Sequence, residues 1–521
     1  MTGPRPIHKC PSGRVSSDLR IGGGEFFEIQ HHLSRHLSFP YDISPAASAG
    51  PPILAGLVTG PETTQQVDLN MHRRLLFDIS GLLSWYAYFR HPSGVQRITE
   101  YLLSSSAIQG YEHTEFVARA LGSDILYVVD REALKDLCDF RRRPLGIAKL
   151  RGIFAQSMRL ASRDKLRREL RYFHLPYVIG GALGLEAATE ALFSRQVPRR
   201  GSALRTITAL SASDSFFNPG DFWCHDGYVG SMIEMSRTTG MRYVQLVHDL
   251  FAIDRPDWTH PQFGHVIAGE FGRLAPHVDR WLATSKFVRS TVSDYLVVHA
   301  LQERPIDVIP MGWHAVGAPS GKADPDHGQK TLRKYGLSGK KYILHVGTVE
   351  PRKNLMTLIG AMSDLRKQSS TPIPYCVLVG RQGWRSEAIR RHLEATKFED
   401  GMVVWLKDVS DRELGALYHG AQFAVVPSTM EGWGLPIRES LAHGLPCIAS
   451  RAGGMEEAGQ DLAAYFDPDD ANGLKTAIAY WIGNEEALQH TRTRLEDHFK
   501  SEANSLGWDA AGAAILRAAF E

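Results

Sequence analysis

Cysteine is scarce in this chain, and an excess of charge of either sign is missing. The five cysteines, Cys10, Cys138, Cys224, Cys376 and Cys447, are scattered, odd in number and never spaced C-x-x-C. Such usage points to a reducing compartment and away from a structural zinc. A formal net charge of +2 makes no overall case for a nucleic-acid partner. No apolar run reaches the ~18 residues that suggest a membrane-spanning helix. The first residues, MTGPRPIHKCPSGRVSSDLR, are basic without an apolar core, so they do not read as a secretory signal. What remains is a composition of 43% hydrophobic and 22% charged residues over 521 positions, which fits a soluble globular protein of two or three domains.

Residues 1–73 are rich in Gly, Pro, Ser and His and lack periodicity, so a poorly ordered extension is expected there. His32 and His36 could share a helix face, but with no further ligand they make no metal site. From Arg74 the pattern changes. RLLFDIS reads as a buried strand, and HPSGVQRITEYLLSSSA as a glycine turn opening a helix. Further strands are expected at ILYVV, RYVQLVHDL and RWLATS, with helices between them. That alternation predicts a parallel, doubly wound α/β sheet over residues 74–313, with a helical insertion at about 140–210. Within the insertion, 141–171 is basic with interleaved apolar residues. It reads either as a solvated helical segment or as a helix lying on an anionic membrane surface. Polar residues 314–330 read as a linker. A second α/β series follows over 331–490, with strands at KYILHVGTV, YCVLVG, VVWLKDV, QFAVVPS and PCIAS. Ser410 and Glu413 have the spacing of a capping box. Residues 491–521 end in an apolar helix, expected to pack back on the N-terminal domain.

Two stretches carry chemistry. In HVGTVEPRKNLMTLIGAM a strand ends at Gly347, and Arg352 and Lys353 precede a helix for which Asn354 is the expected N-cap. Cations at the carboxyl edge of a parallel strand suit a diphosphate: one forked donor and one point charge. In VVPSTMEGWGLPIRESLAHGLPCIAS a strand runs into a glycine loop. A helix is expected from Pro436 to His443, with Gly444 as its C-terminal cap. Its N-terminus aims backbone N–H groups at Gly432–Leu435, a ready anion site. Glu431 and Glu439, with seven residues between them, read as two separate acceptors of ligand hydroxyls, not as a hydrolase pair flanking one bond. A phosphate between two hydroxyl-binding acids describes a nucleotide sugar.

The run PSTMEGWGLPIRESLAHGLPCIAS resembles the E-x7-E signature of the family-4 retaining glycosyltransferases of the GT-B fold. GTVEPRKNLMTLIGA is similar to that family's phosphate segment, and DVSDRELGALYHGA to the segment before the signature strand. VHDL, ATSKFVRSTV and VIPMGW resemble landmarks of its N-terminal domain, and SGVQRITEYL the first turn and helix of a mannosyltransferase-rich subgroup. The resemblance implies two Rossmann-like domains facing across a cleft. It further implies that Arg352 and Lys353 neutralise the donor diphosphate, aided by the Gly434 and Leu435 amides, and that Glu439 holds the ribose. Glu431 and His248 would contact the transferred sugar, although His248 could instead pair with a backbone carbonyl. Gly94 would allow close approach to phosphate or acceptor. Gly347, Val409 and Gly432 complete the implied donor site. GDP-mannose is the first expected donor, a saccharide or lipid-linked saccharide the acceptor, and cell-surface polysaccharide synthesis the setting. Neither a cofactor nor a metal is expected: the D-x-D strings at Asp324–Asp326 and Asp467–Asp469 read as turns. The implied location is cytoplasmic, with peripheral attachment to the membrane's inner face.

Three features depart from the family. Lys407 and Asp408 replace a Gly-aliphatic pair near the base pocket, the extension 1–73 has no counterpart, and the insertion is long. Two other readings stand beside transfer: a nucleotide-sugar epimerase of the same fold, and a non-catalytic nucleotide-sugar-binding protein.

Overall fold

Segments such as RLLFD, RYVQLV and RWLA are apolar at nearly every position, as strands covered on both faces must be. The computed structural model describes residues 73–139, 141–160, 204–313, 315–316, 325–370, 372–501 and 507–521. Its first sheet has seven strands: β1 (Arg74–Asp78), β2 (Thr114–Arg119), β3 (Leu126–Val128), β4 (Asp214–Asn218), β5 (Arg242–Val247), β6 (Arg280–Ala283) and β7 (Ile306–Val308). Their spatial order is β3-β2-β1-β4-β5-β6-β7, and every pairing is parallel except β2 with β3. The second sheet contains β8 (Tyr342–Val346), β9 (Tyr375–Val379), β10 (Val403–Leu406), β11 (Ala424–Val426), β12 (Cys447–Ser450) and β13 (Ala464–Phe466). It is wholly parallel, in the order β10-β9-β8-β11-β12-β13.

That order places the functional loops. In both sheets the winding reverses beside the first strand, between β1 and β4 and again between β8 and β11. Open α/β sheets bind ligands at the carboxyl ends of the strands flanking such a reversal. The loops after β8 and β11 are therefore brought side by side although Lys353 and Glu431 lie 78 positions apart.

Several boundaries differ from the sequence reading. A helix, Pro325–Lys334, begins inside the stretch read as linker, with Asp326 in its first turn. The helix Glu485–Ser501 runs across the expected boundary at 491 and buries Leu488 and Leu495 against the second sheet's core. The final helix, Asp509–Phe520, joins the first sheet's core through Ile515, Ala518 and Phe520. Asp467 accepts the backbone N–H of Asp469 at 3.0 Å, as a turn residue does.

The described part of the basic segment does not present a free cationic face. Helix Arg143–Ser157 buries Ile147, Leu150 and Phe154. Arg143 pairs with Glu100 at 2.8 Å, while Arg142 and Lys149 pair with Asp136 at 2.7 and 2.6 Å. Arg151 donates to the Tyr86 carbonyl at 2.8 Å. The fold's own acids and carbonyls thus meet these cations. The remainder of that segment, 161–171, lies outside the described residues, as do His32, His36 and the extension. Among the described residues the cysteines Cys138, Cys224, Cys376 and Cys447 are free thiols, and no helix is long and apolar enough to cross a membrane.

Candidate active site

β8 ends in a glycine turn. Gly347 donates to the Val379 carbonyl at 2.9 Å, and a Cβ on Gly380 would lie 1.8 Å from the Gly347 oxygen. Only glycine lets the two strand ends touch this closely. The chain then makes a single tight turn, Pro351–Lys353, before helix Leu355–Gln368. Asn354 does occupy the N-cap, but in the left-handed region at φ 53° and without a side-chain cap bond. Its side chain instead accepts from Thr357 Oγ1 at 2.6 Å and donates to the Pro468 carbonyl at 3.2 Å.

Across the reversal, β11 leads into Ser428–Gly434. The backbone N–H of Thr429 donates to the Arg352 carbonyl at 2.8 Å, tying the two loops together. Glu431, 8% exposed, then receives Lys353 Nζ on Oε1 and Arg352 on Oε2 at 2.6 Å. Ser428 Oγ adds a bond to Oε1 at 2.7 Å. Burial by itself would raise this carboxyl; the two cations outweigh it and hold Glu431 down at about 2. Arg352 also pairs with Glu350 at 2.7 Å and lies over the Phe251 ring at 4.6 Å. Asp249 faces the same cluster, and burial, opposed by Arg352, pushes it up to about 6.

The structure thus brings Glu431, Arg352 and Lys353 into one knot. The acid expected at the transferred sugar occupies both cations expected at the diphosphate. A low-dielectric site strengthens this pairing.

Helix Leu435–Ala442 starts one residue before the expected Pro436, with Gly434 at the N-cap at φ 116°. Gly432 abuts the His248 carbonyl so tightly that a Cβ there would lie 1.7 Å from it. Ser285 Oγ donates to the Gly432 oxygen at 2.6 Å. Both contacts seat the glycine loop against the N-terminal domain. Gly94 is not so confined: a Cβ there would make an ordinary 3.9 Å contact with Leu435 Cδ1.

Glu439 is held apart from Glu431 by different partners. Tyr418 donates to it at 2.9 Å, and Arg97 stands 3.5 Å away. Arg97 also pairs with Asp411 at 2.8 Å, and Arg143 reaches the same Asp411 at 3.4 Å. Burial would raise Asp411, yet these two arginines hold it well below the usual carboxylate range. Burial dominates at Glu439 and raises it despite Arg97.

Two further expected residues have partners within the protein. The ring of His248 is turned to the Pro219 carbonyl, with Nε2 at 2.6 Å, and burial lowers it to about 4. The backbone-carbonyl pairing is the arrangement seen, and the imidazole is neutral at neutral pH. Val409 packs against the second sheet's core. Ser410 and Glu413 form the expected capping box on helix Asp411–Gly420. Lys407 lies over Trp405 at 4.2 Å, and Asp408 is left-handed at φ 53°.

The sequence reading missed Arg97, Arg143, Asp411, Tyr418, Ser428, Glu350 and Asp249. SGVQR was singled out for its glycine, and Arg97 stands three residues beyond it. Ser428 and Glu350 lie within the two quoted stretches, beside Glu431 and Arg352, whereas Arg143, Asp411, Tyr418 and Asp249 come from elements that only the fold brings together.

Residues 329–498 match the family model of glycosyl transferases group 1. The C-terminal domain is a group 1 glycosyl transferase domain. The family-4 resemblance drawn from the motifs stands with it. The chain is 25% identical over 272 residues to the serotype-specific mannosyltransferase WbdA of Escherichia coli, a match covering 50% of the chain and 32% of that protein. Over 147 residues it is 34% identical to O-antigen chain mannosyltransferase B of Escherichia coli, covering 28% of the chain and 38% of that protein. The chain therefore spans about a third of the length of the curated relatives it matches. Anabaena HepE in complex with UDP-glucose superposes with a TM-score of 0.51 at 15% identity, over 86% of this chain and 99% of that one. Sucrose-phosphate synthase from Thermosynechococcus elongatus gives 0.50 at 16%, over 86% and 98%. The architecture is GT-B.

Proposed function

We propose that the protein is a retaining hexosyltransferase that moves a sugar, GDP-mannose being the first donor to test, onto a saccharide or lipid-linked saccharide in cell-surface polysaccharide synthesis. One observation carries this reading: Arg352, Lys353 and Glu431 converge at the strand reversal, beside the N-terminus of helix Leu435–Ala442. As the bond from the sugar carbon to the diphosphate breaks, charge develops on the leaving oxygen. In this reading two cations and the Gly434 and Leu435 amides would stabilise that charge, which lowers the barrier. The acceptor would attack from the face the diphosphate leaves, so that configuration is retained. The cations supply the charge neutralisation that a divalent metal gives other transferases, and turnover is expected to survive chelation. The likeness to two mannosyltransferases supports mannose. The HepE complex with UDP-glucose supports a nucleotide-sugar donor in this fold.

A panel of nucleotide sugars, scored by thermal shift and by nucleotide release, tests the donor. Lys353→Ala and Glu431→Ala should each cost at least ~10²-fold in turnover, the scale of one aligned charge-stabilising group. Near-normal transfer by both would sink the assignment. An epimerase would convert the donor with no acceptor present, and a binding protein would turn over nothing. A cytoplasmic, peripheral location is the companion proposal. Co-sedimentation with phosphatidylglycerol vesicles that falls as salt rises is the expected result, and binding indifferent to lipid charge would remove the membrane reading.

A further inference from the structure

The two strand reversals differ in chemistry. The one between β8 and β11 holds two cations. The one between β1 and β4 holds the acids Asp78 and Asp221 among neutral donors. Asp78 is fully engaged: it accepts from Ser80 N at 2.9 Å, Ser80 Oγ at 2.6 Å, Asn218 at 2.9 Å, and Tyr228. Asp221, in the turn after β4, accepts one bond, from Gln96 Nε2 to Oδ2 at 2.9 Å. Its Oδ1 has no hydrogen-bond partner among the described residues, although the residue is only 4% exposed.

The surroundings make room for this carboxyl. Gly81 lies so close that a Cβ would be 2.2 Å from Asp221 Cβ. The preceding Gly220, at φ +128°, presses on the His248 ring, where a Cβ would come within 2.4 Å of Cδ2. Asp221 therefore sits between His248 and the start of the helix whose Gly94 faces Leu435. Glu431, Glu439 and Asp411 each face an arginine or lysine. Near Asp221 stand Asp78 from β1 and Gln96 from helix Gly94–Ser104, and the adjoining Gly220 touches His248, which burial keeps neutral. Burial, opposed by the Gln96 bond and helped by Asp78, pushes Asp221 up to about 7.

A carboxyl with no cation and an amide at its side is built for neutral hydroxyl donors, not for phosphate. We propose that Asp221 and Gln96 form a hydroxyl-binding subsite for the acceptor, a saccharide with free neighbouring hydroxyls; this rests on the transferase reading above. The subsite lies at a position where parallel sheets bind ligands, on the domain facing the donor.

The test uses the full chain saturated with GDP and a panel of methyl α-glycosides of mannose, glucose and galactose, read by saturation-transfer NMR. The wild type should bind at least one glycoside, more tightly as pH rises through neutrality and Asp221 ionises. Asp221→Asn keeps the size and can still accept from Gln96, and a thermal melt checks its fold. It should lose at least ~10-fold in glycoside affinity, the worth of a hydrogen bond to a charged group, with GDP binding unchanged. Equal glycoside binding by Asp221→Asn, or no binding of any glycoside by the GDP-saturated wild type, would overturn the subsite. Failure of the wild type to bind either GDP or UDP, in a separate titration, would instead overturn the donor reading.

Discussion

Glu431→Gln should tighten the binding of GDP while nearly abolishing turnover. In the structure Lys353 and Arg352 both donate to Glu431, so an incoming diphosphate must take these cations from a carboxylate already holding them. Glu431 remains ionised down to about 2, and the competition therefore persists at every working pH. Glutamine keeps the shape and the bond from Ser428 but carries no charge. A hydrogen bond between charged groups is worth ~1.5–3 kcal/mol net. With ~1.4 kcal/mol per tenfold, releasing that much competition should lower the Kd for GDP by roughly 10- to 100-fold. Isothermal titration near neutral pH reads the affinity, and release of nucleotide from the sugar donor reads the turnover. A glutamine variant that binds GDP no more tightly than the wild type would refute the competition. The cations would then hold the diphosphate without letting go of Glu431.

Other outcomes follow from the same contacts. Arg97→Ala leaves Asp411 and Glu439, whose side chains are 10% and 5% exposed, without their shared cation. Breaking such a pair costs ~3–5 kcal/mol, and Asp411→Asn in the same chain should recover part of it in urea denaturation; strictly additive losses would argue against coupling. Asp221→Asn should be more stable than the wild type above neutrality. An acid whose folded value is raised, here from 3.8 to about 7, loses stability as pH climbs between those values, by roughly 4 kcal/mol in all. Thermal melts of the two proteins should converge in acid and diverge in base.

Much of the fold was legible because strands buried on both faces announce themselves as apolar runs. β1, β5, β6, β8, β9 and β12 all do. β4 was missed: DSFFN begins with an acid and ends with an amide that serve contacts with Arg74 and Asp78. β13, three residues with two of them half-buried, carries too little pattern to stand out. At the site, Glu431, Arg352 and Lys353 were legible because each lies in a local glycine or proline turn. Their mutual pairing was not, since spacing within a chain says nothing of which loops a sheet reversal joins. Arg97 illustrates the limit: its partner Asp411 is 314 positions away, in a segment that reads, correctly, as a capping box.

The shared grip on Asp411 and Glu439 also constrains how this protein could have been assembled. The acid expected at the ribose belongs to the C-terminal domain, yet its neutralising arginine grows from the N-terminal one. A chimera that joins this C-terminal half to a foreign acceptor half lacking Arg97 and Arg143 would inherit a complete signature sequence and two stranded charges. The halves are therefore not freely exchangeable modules. They must change together at this seam, and a graft meant to alter acceptor choice should carry Arg97 and Arg143 with it.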